Sequence, residues 1–244
     1  MSFEVGVVEA IFRYPVKSMG GEGLDAATLG WHGIEGDRRL AFRRMDDKGG
    51  FPWLCASKLP DLLLFSPQRA EVADPVGLPA YIRTPDGRDL TVFGEDLAEE
   101  IARRHGATVQ MTHLKHGIFD DGAVSVIASD TVFEIARLAR LSPDVRRFRP
   151  NIVVRPKRPV AFQEDGWVGG VLTFGDGPAA PAIAVTMRDV RCAMLNLDPD
   201  SAKPNPEMMK AVVASNQNNA GIYGAVTRAG QIAVGQNMFF HPAG

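Results

Sequence analysis

Cys192 is the residue of this sequence whose type and neighbours most suggest chemistry, as a nucleophile or as a metal ligand. Arg188 and Arg191 lie close to it in the chain, and cationic groups beside a thiol favour the thiolate, which binds metals and attacks sulfur. In a strand, Arg188 would share a face with Cys192, whereas Arg191 would point to the opposite face. An isolated cysteine in a β-rich segment is also a common small buried side chain. From the residues alone, Cys192 is either a reactive thiol or part of the core.

Four basic or hydroxyl-bearing segments flank the predicted strands and helices. They cover residues 14–18, 36–39, 56–58 and 146–151. Pro15 removes a backbone donor, so we expect the first strand to end there and to expose Lys17 and Ser18 at its edge. Loops at element ends build binding sites, and Lys and Arg donate to phosphate oxygens. Each segment alone is typical of a solvated surface, but together with a nearby thiol they predict a site for a phosphorylated ligand.

The numbers of cysteines and histidines limit the metal chemistry. Cys55 and Cys192 can form at most one disulfide, and nothing else indicates a secreted scaffold, so we expect reduced thiols. Two cysteines cannot ligate an iron–sulfur cluster of the four-cysteine kind, so electrons would have to come from outside this chain. His113 and His116 have no third ligand at a useful spacing, which favours solvated loop residues over a metal site.

Length and charge narrow the class of protein. The 244 residues suit one elaborated domain or two small intertwined ones, and a break near residue 115 predicts domains at 1–115 and 116–244. A formal net charge of −2 offers no basic field for nucleic acid, so we expect no nucleic-acid partner. No apolar run approaches the roughly 20 residues that span a bilayer, and the chain starts without a leader pattern. We therefore expect a cytoplasmic protein with no membrane contact.

The elements that must position these residues are mostly strands. Runs of β-branched and aromatic residues predict strands at 4–14, 40–44, 62–65, 81–83, 90–93, 152–155, 171–174, 183–187, 222–226 and 232–240. Helical periodicity predicts helices at 96–105, at about 130–141 and from Pro206 onwards, with Asn205 as its cap. Ser129 or Thr131 would cap the second helix, and Glu134 would complete a capping box. Many strands with few helices indicate a mainly β fold of the α+β class, built as a barrel or a curled sheet.

Four stretches together resemble the MOSC proteins that carry an N-terminal β-barrel extension. They are Tyr-Pro-Val-Lys-Ser at 14–18, Gly-Asp-Arg at 36–38, Arg-Phe-Arg-Pro-Asn-Ile-Val-Val at 147–154 and Arg-Cys at 191–192. The likeness extends over essentially the whole chain. It implies a MOSC β-barrel packed with an N-terminal β-barrel-like domain.

The resemblance also implies an activity and a set of site residues. The pattern is similar in particular to the amidoxime-reducing component of mitochondria and its bacterial counterparts, which are molybdenum-cofactor enzymes that reduce small N-hydroxylated substrates. Cys192 would be the protein thiolate on molybdenum, beside the dithiolate of the molybdopterin. The positions that would hold the pterin and its phosphate are Lys17, Ser18, Arg38, Arg149 and Asn151. Ser129 would add a hydroxyl and helix N-terminal amides, and the electrons would come from an external iron–sulfur, flavin or haem protein.

Three interpretations of function stay open at this point. Besides the reductase, Cys192 could carry a persulfide as a sulfur carrier or sulfurtransferase, since a reactive exposed thiol suits that role as well. A β-barrel module that binds another phosphorylated ligand, with Cys192 merely buried, is the third. Asp198 or Asp200 is either a proton relay or part of a structural bend. Residues 193–196 and 236–237 depart from the family pattern, which leaves the substrate open.

Overall fold

The computed structural model describes residues 2–69, 77–118 and 121–243. The strands within these ranges are β1 (Phe3–Arg13), β2 (Glu22–Leu24), β3 (Ala26–Gly30), β4 (Gly33–Ile34), β5 (Leu40–Arg44), β6 (Ser66–Gln68), β7 (Tyr81–Arg83), β8 (Asp89–Thr91), β9 (Val109–His113), β10 (Val124–Ala128), β11 (Ile152–Pro156), β12 (Val171–Phe174), β13 (Ala182–Val190), β14 (Asn219–Arg228), β15 (Gly230–Ala233) and β16 (Asn237–His241). The helices are α1 (Glu95–His105), α2 (Ser129–Ala139) and α3 (Glu207–Asn216). The chain is therefore mainly β, as predicted.

Seven strands close into a barrel in the order β1, β11, β10, β14, β13, β12, β16. β1 closes it, because it pairs antiparallel with β11 on one side and with β16 on the other. β10 and β11 run parallel, and the other neighbours in the barrel are antiparallel. The sequence prediction of a barrel is confirmed.

Two irregularities in β1 decide which of its residues face inward. Val5, Val8 and Ile11 are all buried in the barrel core, although a spacing of three does not keep regular strand residues on one face. The register shifts between Glu4 and Gly6 and again between Val8 and Ala10, and such bulges turn the following side chains to the other face. The bulges thus let one strand fill the barrel along its whole length.

The described chain packs around a barrel core and a second core. The barrel core combines β1, β3 and β4 with the strands that follow residue 123. The second core lies among β5, the β6–β7–β8 sheet, α1 and β9, and includes Phe42, Phe65 and Ile101. Its hairpin between β7 and β8 confirms the predicted turn at Pro85. The division at 1–115 and 116–244 stays a prediction, and the packing shows that β1, β3 and β4 contribute to the barrel core.

Helices α2 and α3 cover the outside of the barrel. Val126 of β10 faces the barrel core, while the next residue, Ile127, packs against the helices, as strand alternation requires. Consequently all five residues of β10 are buried. Among the helices of the described ranges, none has the length and hydropathy needed to cross a membrane.

Three local predictions are wrong. The single strand expected at 232–240 is two strands, because β15 pairs with β3 whereas β16 belongs to the barrel. Residues 62–65 were expected as a strand but belong mostly to a 3₁₀ helix, Pro60–Leu64, with Pro60 at its start. The capping box of α2 does not form, because Ala128 precedes the helix without a side-chain cap and Glu134 pairs with Arg137. At the cap, the carboxylate of Glu164 instead accepts from the Ala128 amide at 3.2 Å and from the Thr131 hydroxyl at 2.9 Å.

Candidate functional site

A cleft of about 360 Å³ brings together residues from distant parts of the chain. The predicted site residues that line it are Lys17, Ser18, Arg38, Arg149 and Cys192. Its volume lies near the lower end of ordinary small-molecule sites, which run from roughly 300 to 1,000 Å³. We call it the cysteine cleft.

The segments that carry Lys17 and Arg38 are paired with each other. The Lys17 amide donates to the Leu40 carbonyl at 2.8 Å, and the Arg38 amide donates to the Tyr14 carbonyl at 2.7 Å. Val16 and Leu40 form an isolated parallel bridge between the two segments. This pairing leaves Lys17 and Ser18 only 6% and 4% exposed. The expectation that both stand exposed at a strand edge is therefore wrong, and they are enclosed as lining of the cleft.

Three of the lining residues have a left-handed backbone. The φ angles of Ser18, Arg38 and Arg149 are 65°, 48° and 52°. Non-glycine residues rarely adopt this region, and such positions persist where the surrounding structure holds them, often at functional sites. In each case the unusual backbone carries a side chain that lines the cleft. Holding these three residues in the left-handed region costs conformational free energy, which the surrounding contacts must offset.

Arg38 is held from three directions. Its guanidinium donates to Asp37 Oδ2 at 2.5 Å, to the Arg149 carbonyl at 2.9 Å and to Asn151 Oδ1 at 3.4 Å. Asp37 in turn accepts from the Tyr14 amide at 2.7 Å. These contacts fix the direction of the guanidinium before any ligand binds.

The ring of Tyr14 packs against the guanidinium groups of Arg38 and Arg149. The guanidinium carbon of Arg149 lies 4.2 Å from the centroid of its ring, and that of Arg38 lies 5.0 Å from it. Cations over an aromatic face are attracted by the ring quadrupole. Burial raises the pKa of Tyr14 to about 12, so the phenol stays protonated beside these cations.

Asn151 supports the site without lining the cleft. It is fully buried, its Oδ1 accepts from the Ser125 amide at 3.0 Å, and its Nδ2 donates to the Phe12 carbonyl at 3.3 Å. The same oxygen contacts Arg38. Asn151 therefore positions Arg38, and the structure does not bring its amide to the lining.

Cys192 is exposed, and Arg191 rather than Arg188 accompanies it in the cleft. The Arg191 guanidinium donates to Asp189 and to the Phe148 carbonyl and lies 5.5 Å from the Phe148 ring centroid. Arg188 bonds to Asn216 and pairs with Asp165 instead. Strand alternation predicted the reverse. The register of β13 shifts between Arg188 and Val190 and the strand ends there, so alternation does not extend to Cys192.

Asp198 and Ser129 stay outside the described lining of the cleft. Asp198 accepts from Arg147 at 2.7 Å and, through its other oxygen, from the Ser201 hydroxyl at 2.9 Å. Although burial acts to raise the pKa of Asp198, hydrogen bonds from Ser201 and Asp200 and the charge of Arg147 hold it below its usual value. The contacts favour a structural bend over a proton relay. The Ser129 hydroxyl donates to the Val154 carbonyl at 3.3 Å.

Several lining residues were outside the set of site residues that the family resemblance implied. They are Phe51, Cys55, Ser57, Asp121, Ser125, Arg147, Phe148, Asp189, Val190, Arg191, Met194, Leu195 and Tyr223. Cys55 approaches Ser57, with Sγ and Oγ 2.9 Å apart. The basic segments at 56–58 and 146–151 were the available signal for Ser57 and Arg147. Cys55 carried no signal, because its place in the lining depends on the fold.

The described lining carries five basic and two acidic side chains. This local excess of positive charge contrasts with the net charge of −2 of the chain. Within the described ranges, no three His, Cys, Asp or Glu side chains form a metal-binding group. His116 contacts His32, with Nδ1 and Nε2 2.9 Å apart, and not His113. The cleft therefore offers the exposed thiol of Cys192 beside a positively charged surface, and a metal held there would need ligands from its own cofactor.

The fold and the cleft define a β-barrel protein with a thiol at the edge of a basic pocket. The model of the MOSC domain matches residues 102–238, and the model of the MOSC N-terminal beta barrel domain matches residues 5–132. The chain belongs to the MOSC family, with the N-terminal barrel extension.

A solved structure shows a similar fold at low sequence identity. The YuaD protein from Bacillus subtilis is 15% identical with a TM-score of 0.55, and the match covers 100% of this chain and 99% of that one. YiiM from Escherichia coli is 11% identical with a TM-score of 0.43, over 100% of this chain and 71% of that one. The comparison with curated proteins gives no significant match.

Proposed function

We propose that the cysteine cleft binds a molybdenum cofactor of the molybdopterin form and that the protein reduces N-hydroxylated compounds. The observation that carries this proposal is the convergence of Cys192 with Lys17, Ser18, Arg38 and Arg149 in one cleft. These residues come from four separate segments of the chain, and membership of the MOSC family is consistent with such a cofactor.

The residues present fit the chemistry of that cofactor. A phosphate is an anion that Lys17, Arg38 and Arg149 suit, and the planar guanidinium groups can donate two parallel bonds to it. The Cys192 thiolate is a soft donor of the kind that molybdenum with sulfur ligands accepts. Cys192 is exposed, so a small substrate has access to the same place. When bound, the cofactor would supply the redox-active metal.

The overall reaction balances as a two-electron reduction. The N–OH group takes up two electrons and two protons, its N–O bond breaks, and the oxygen leaves as water. The chain has two cysteines, too few for a four-cysteine iron–sulfur cluster, and we propose that the electrons come from a separate iron–sulfur, flavin or haem protein. The excess of basic side chains in the cleft would favour an acidic surface on that partner.

The first experiment is metal analysis of protein purified anaerobically from a host that makes the cofactor. We expect stoichiometric molybdenum and turnover of a simple amidoxime when an artificial electron donor is supplied. Protein purified from a host that lacks cofactor synthesis is the matched control and should contain no molybdenum. Protein from the first host without molybdenum would contradict the proposal.

A sulfur carrier is the second candidate, because the exposed Cys192 could hold a persulfide in the same cleft. Intact-mass measurement before and after reductant separates the two functions, since a persulfide adds one labile sulfur to the chain. The basic residues favour the reductase, because a sulfur atom on Cys192 has no phosphate for them to bind.

A further inference from the structure

We propose that His32 and His116 together bind a divalent transition-metal ion of the tetragonal class, to which Ni²⁺ and Cu²⁺ belong. Nδ1 of His116 and Nε2 of His32 lie 2.9 Å apart, although 84 positions separate the two residues in the sequence. Neither histidine is among the described residues that line the cysteine cleft. The proposal therefore does not depend on whether the cleft holds a molybdenum cofactor.

The spacing of the two nitrogens fits two bonds to one ion. Bonds from a metal to imidazole nitrogen measure about 2.0–2.1 Å, so two of them at a right angle place their nitrogens roughly 2.9 Å apart. A tetrahedral ion such as Zn²⁺ would need roughly 3.3 Å between the nitrogens. Since Ni²⁺ and Cu²⁺ favour square-planar or tetragonal geometry with nitrogen ligands, the observed 2.9 Å fits an ion of their class.

The positions of the two rings do not fit a straight hydrogen bond between them. In a straight bond the two nitrogens face each other along one line, which places the ring centroids about 5 Å apart. The centroids of His32 and His116 are only 4.2 Å apart, and the ring planes meet at 60°. Two imidazoles that share one ion at a right angle have their centroids roughly 4.5 Å apart. The observed separation is nearer to that of a shared ion.

His32 lies on a turn that its surroundings hold in place. The turn joins β3 to β4, and Gly30 pairs with Gly33 across it. Gly33 has a φ of 93°, and a Cβ atom there would lie 2.6 Å from the Ala123 carbonyl oxygen. The turn is therefore packed closely against the start of β10, which limits how far His32 can move.

His116 lies on a loop that is bonded on both sides of it. The Leu114 amide donates to the Arg39 carbonyl at 2.9 Å, and the Ile118 amide donates to the Arg38 carbonyl at 2.8 Å. Ligands that are already held near their bound positions lose less conformational freedom when the ion binds. The pair is therefore assembled by the fold before any ion arrives.

Both imidazoles are open to solvent, so an ion reaches them without any opening of the fold. Imidazole nitrogen is a common ligand of nickel and copper in proteins. Within the described parts of the chain, no third His, Cys, Asp or Glu side chain completes the group, so water molecules would fill the other positions of the ion. The ion would link the β3–β4 turn to the segment that follows β9.

The experiment is calorimetric titration of the full chain with Ni²⁺, which spares the two free thiols the oxidation that Cu²⁺ would cause. We expect one Ni²⁺ to bind per chain. His32→Ala and His116→Ala should each raise the Kd at least about tenfold, because each variant removes one of the two protein ligands. His113→Ala is the matched control, since His113 is also exposed and lies three positions from His116. It should leave the Kd unchanged, as should Cys192→Ser.

Thermal melting provides a second readout. Excess Ni²⁺ should raise the Tm of wild type and of His113→Ala by several degrees, because an ion that binds only the folded state stabilises that state by mass action. The Tm of His32→Ala should stay the same with and without the ion. Melting in the absence of Ni²⁺ also shows that each variant is folded.

An equal Kd for Ni²⁺ in wild type and His32→Ala would overturn the proposal, as would the absence of saturable binding to wild type. Loss of binding in Cys192→Ser would place the ion in the cysteine cleft, and loss in His113→Ala would place it on His113. Either result would also overturn the proposal. Failure to find molybdenum would leave all these outcomes unchanged.

Discussion

Arg38 donates to the backbone carbonyl of Arg149 at 2.9 Å, across 111 positions of the sequence. Both side chains lie over the ring of Tyr14, and both residues have a left-handed backbone. The contact ties the loop before β5 to the loop before β11. The bond thus helps to hold together the two loops whose arginines we propose to bind the phosphate.

We predict that Arg38→Lys weakens binding of inorganic phosphate about tenfold, although the charge is kept. Lysine cannot reproduce the fork that reaches Asp37, Asn151 and the Arg149 carbonyl together. Titration calorimetry on both proteins measures the change. Arg137→Lys is the control, because Arg137 pairs with Glu134 on an exposed helix face. An unchanged Kd for Arg38→Lys would show that this contact does not organise the cleft.

Glu164 predicts a specific dependence of stability on pH. Burial raises its pKa to about 7 from the ordinary 4.5. Below pH 4.5 the carboxyl is protonated in both the folded and the unfolded state, and its contribution to stability is fully present. Between pH 4.5 and 7 only the unfolded state loses the proton, so the free energy of unfolding falls by about 3 kcal/mol as the pH rises.

Glu164→Gln should remove this slope, because the amide resembles the protonated acid and can still accept from the Ala128 amide. Urea unfolding at a series of pH values between 4.5 and 7 measures it. Glu134→Gln should keep the slope, since Arg137 lowers the pKa of Glu134 by a hydrogen bond and the effect of that residue lies below pH 4.5. A slope that persists in Glu164→Gln would contradict the assignment.

Asp198→Asn should lower stability modestly, by about 1 kcal/mol, and should not abolish turnover. The carboxylate orients Arg147 and caps the following turn through Ser201, and both roles are structural. Thermal melting and a pH–rate profile with equal metal loading separate the possibilities. Loss of turnover with unchanged molybdenum content would instead identify Asp198 as a proton relay.

Much of the fold follows from local patterns, whereas the composition of the site depends on tertiary contacts. β5 and α1 match their predicted positions, since alternation and helical periodicity are properties of neighbouring residues. The prediction that Arg188 accompanies Cys192 fails because the register shift in β13 leaves no trace in the sequence. The absence of a capping box at α2 has a similar cause, because the carboxylate near its start comes from Glu164, 36 positions from Ala128.

Cys55 shows the same limit at the cleft itself. Its neighbours Phe51 and Ser57 line the cleft as well, yet nothing in the segment distinguishes a cleft residue from a core residue. The basic residues were easier to predict, because clusters of Lys and Arg at the ends of strands can be recognised in the sequence and are typical of sites that bind phosphate. The sequence gives the number of cysteines, but it does not show that both of them line the same cleft.

The most direct test of the account compares Cys192→Ser with Cys55→Ser in a cofactor-producing host. Both variants remove one free thiol from the lining of the same cleft. We predict that Cys55→Ser keeps stoichiometric molybdenum, whereas Cys192→Ser loses the metal or shows an altered molybdenum EPR spectrum with one sulfur ligand fewer. Cys192→Ser protein that retains the molybdenum, the wild-type spectrum and full turnover would contradict the central claim.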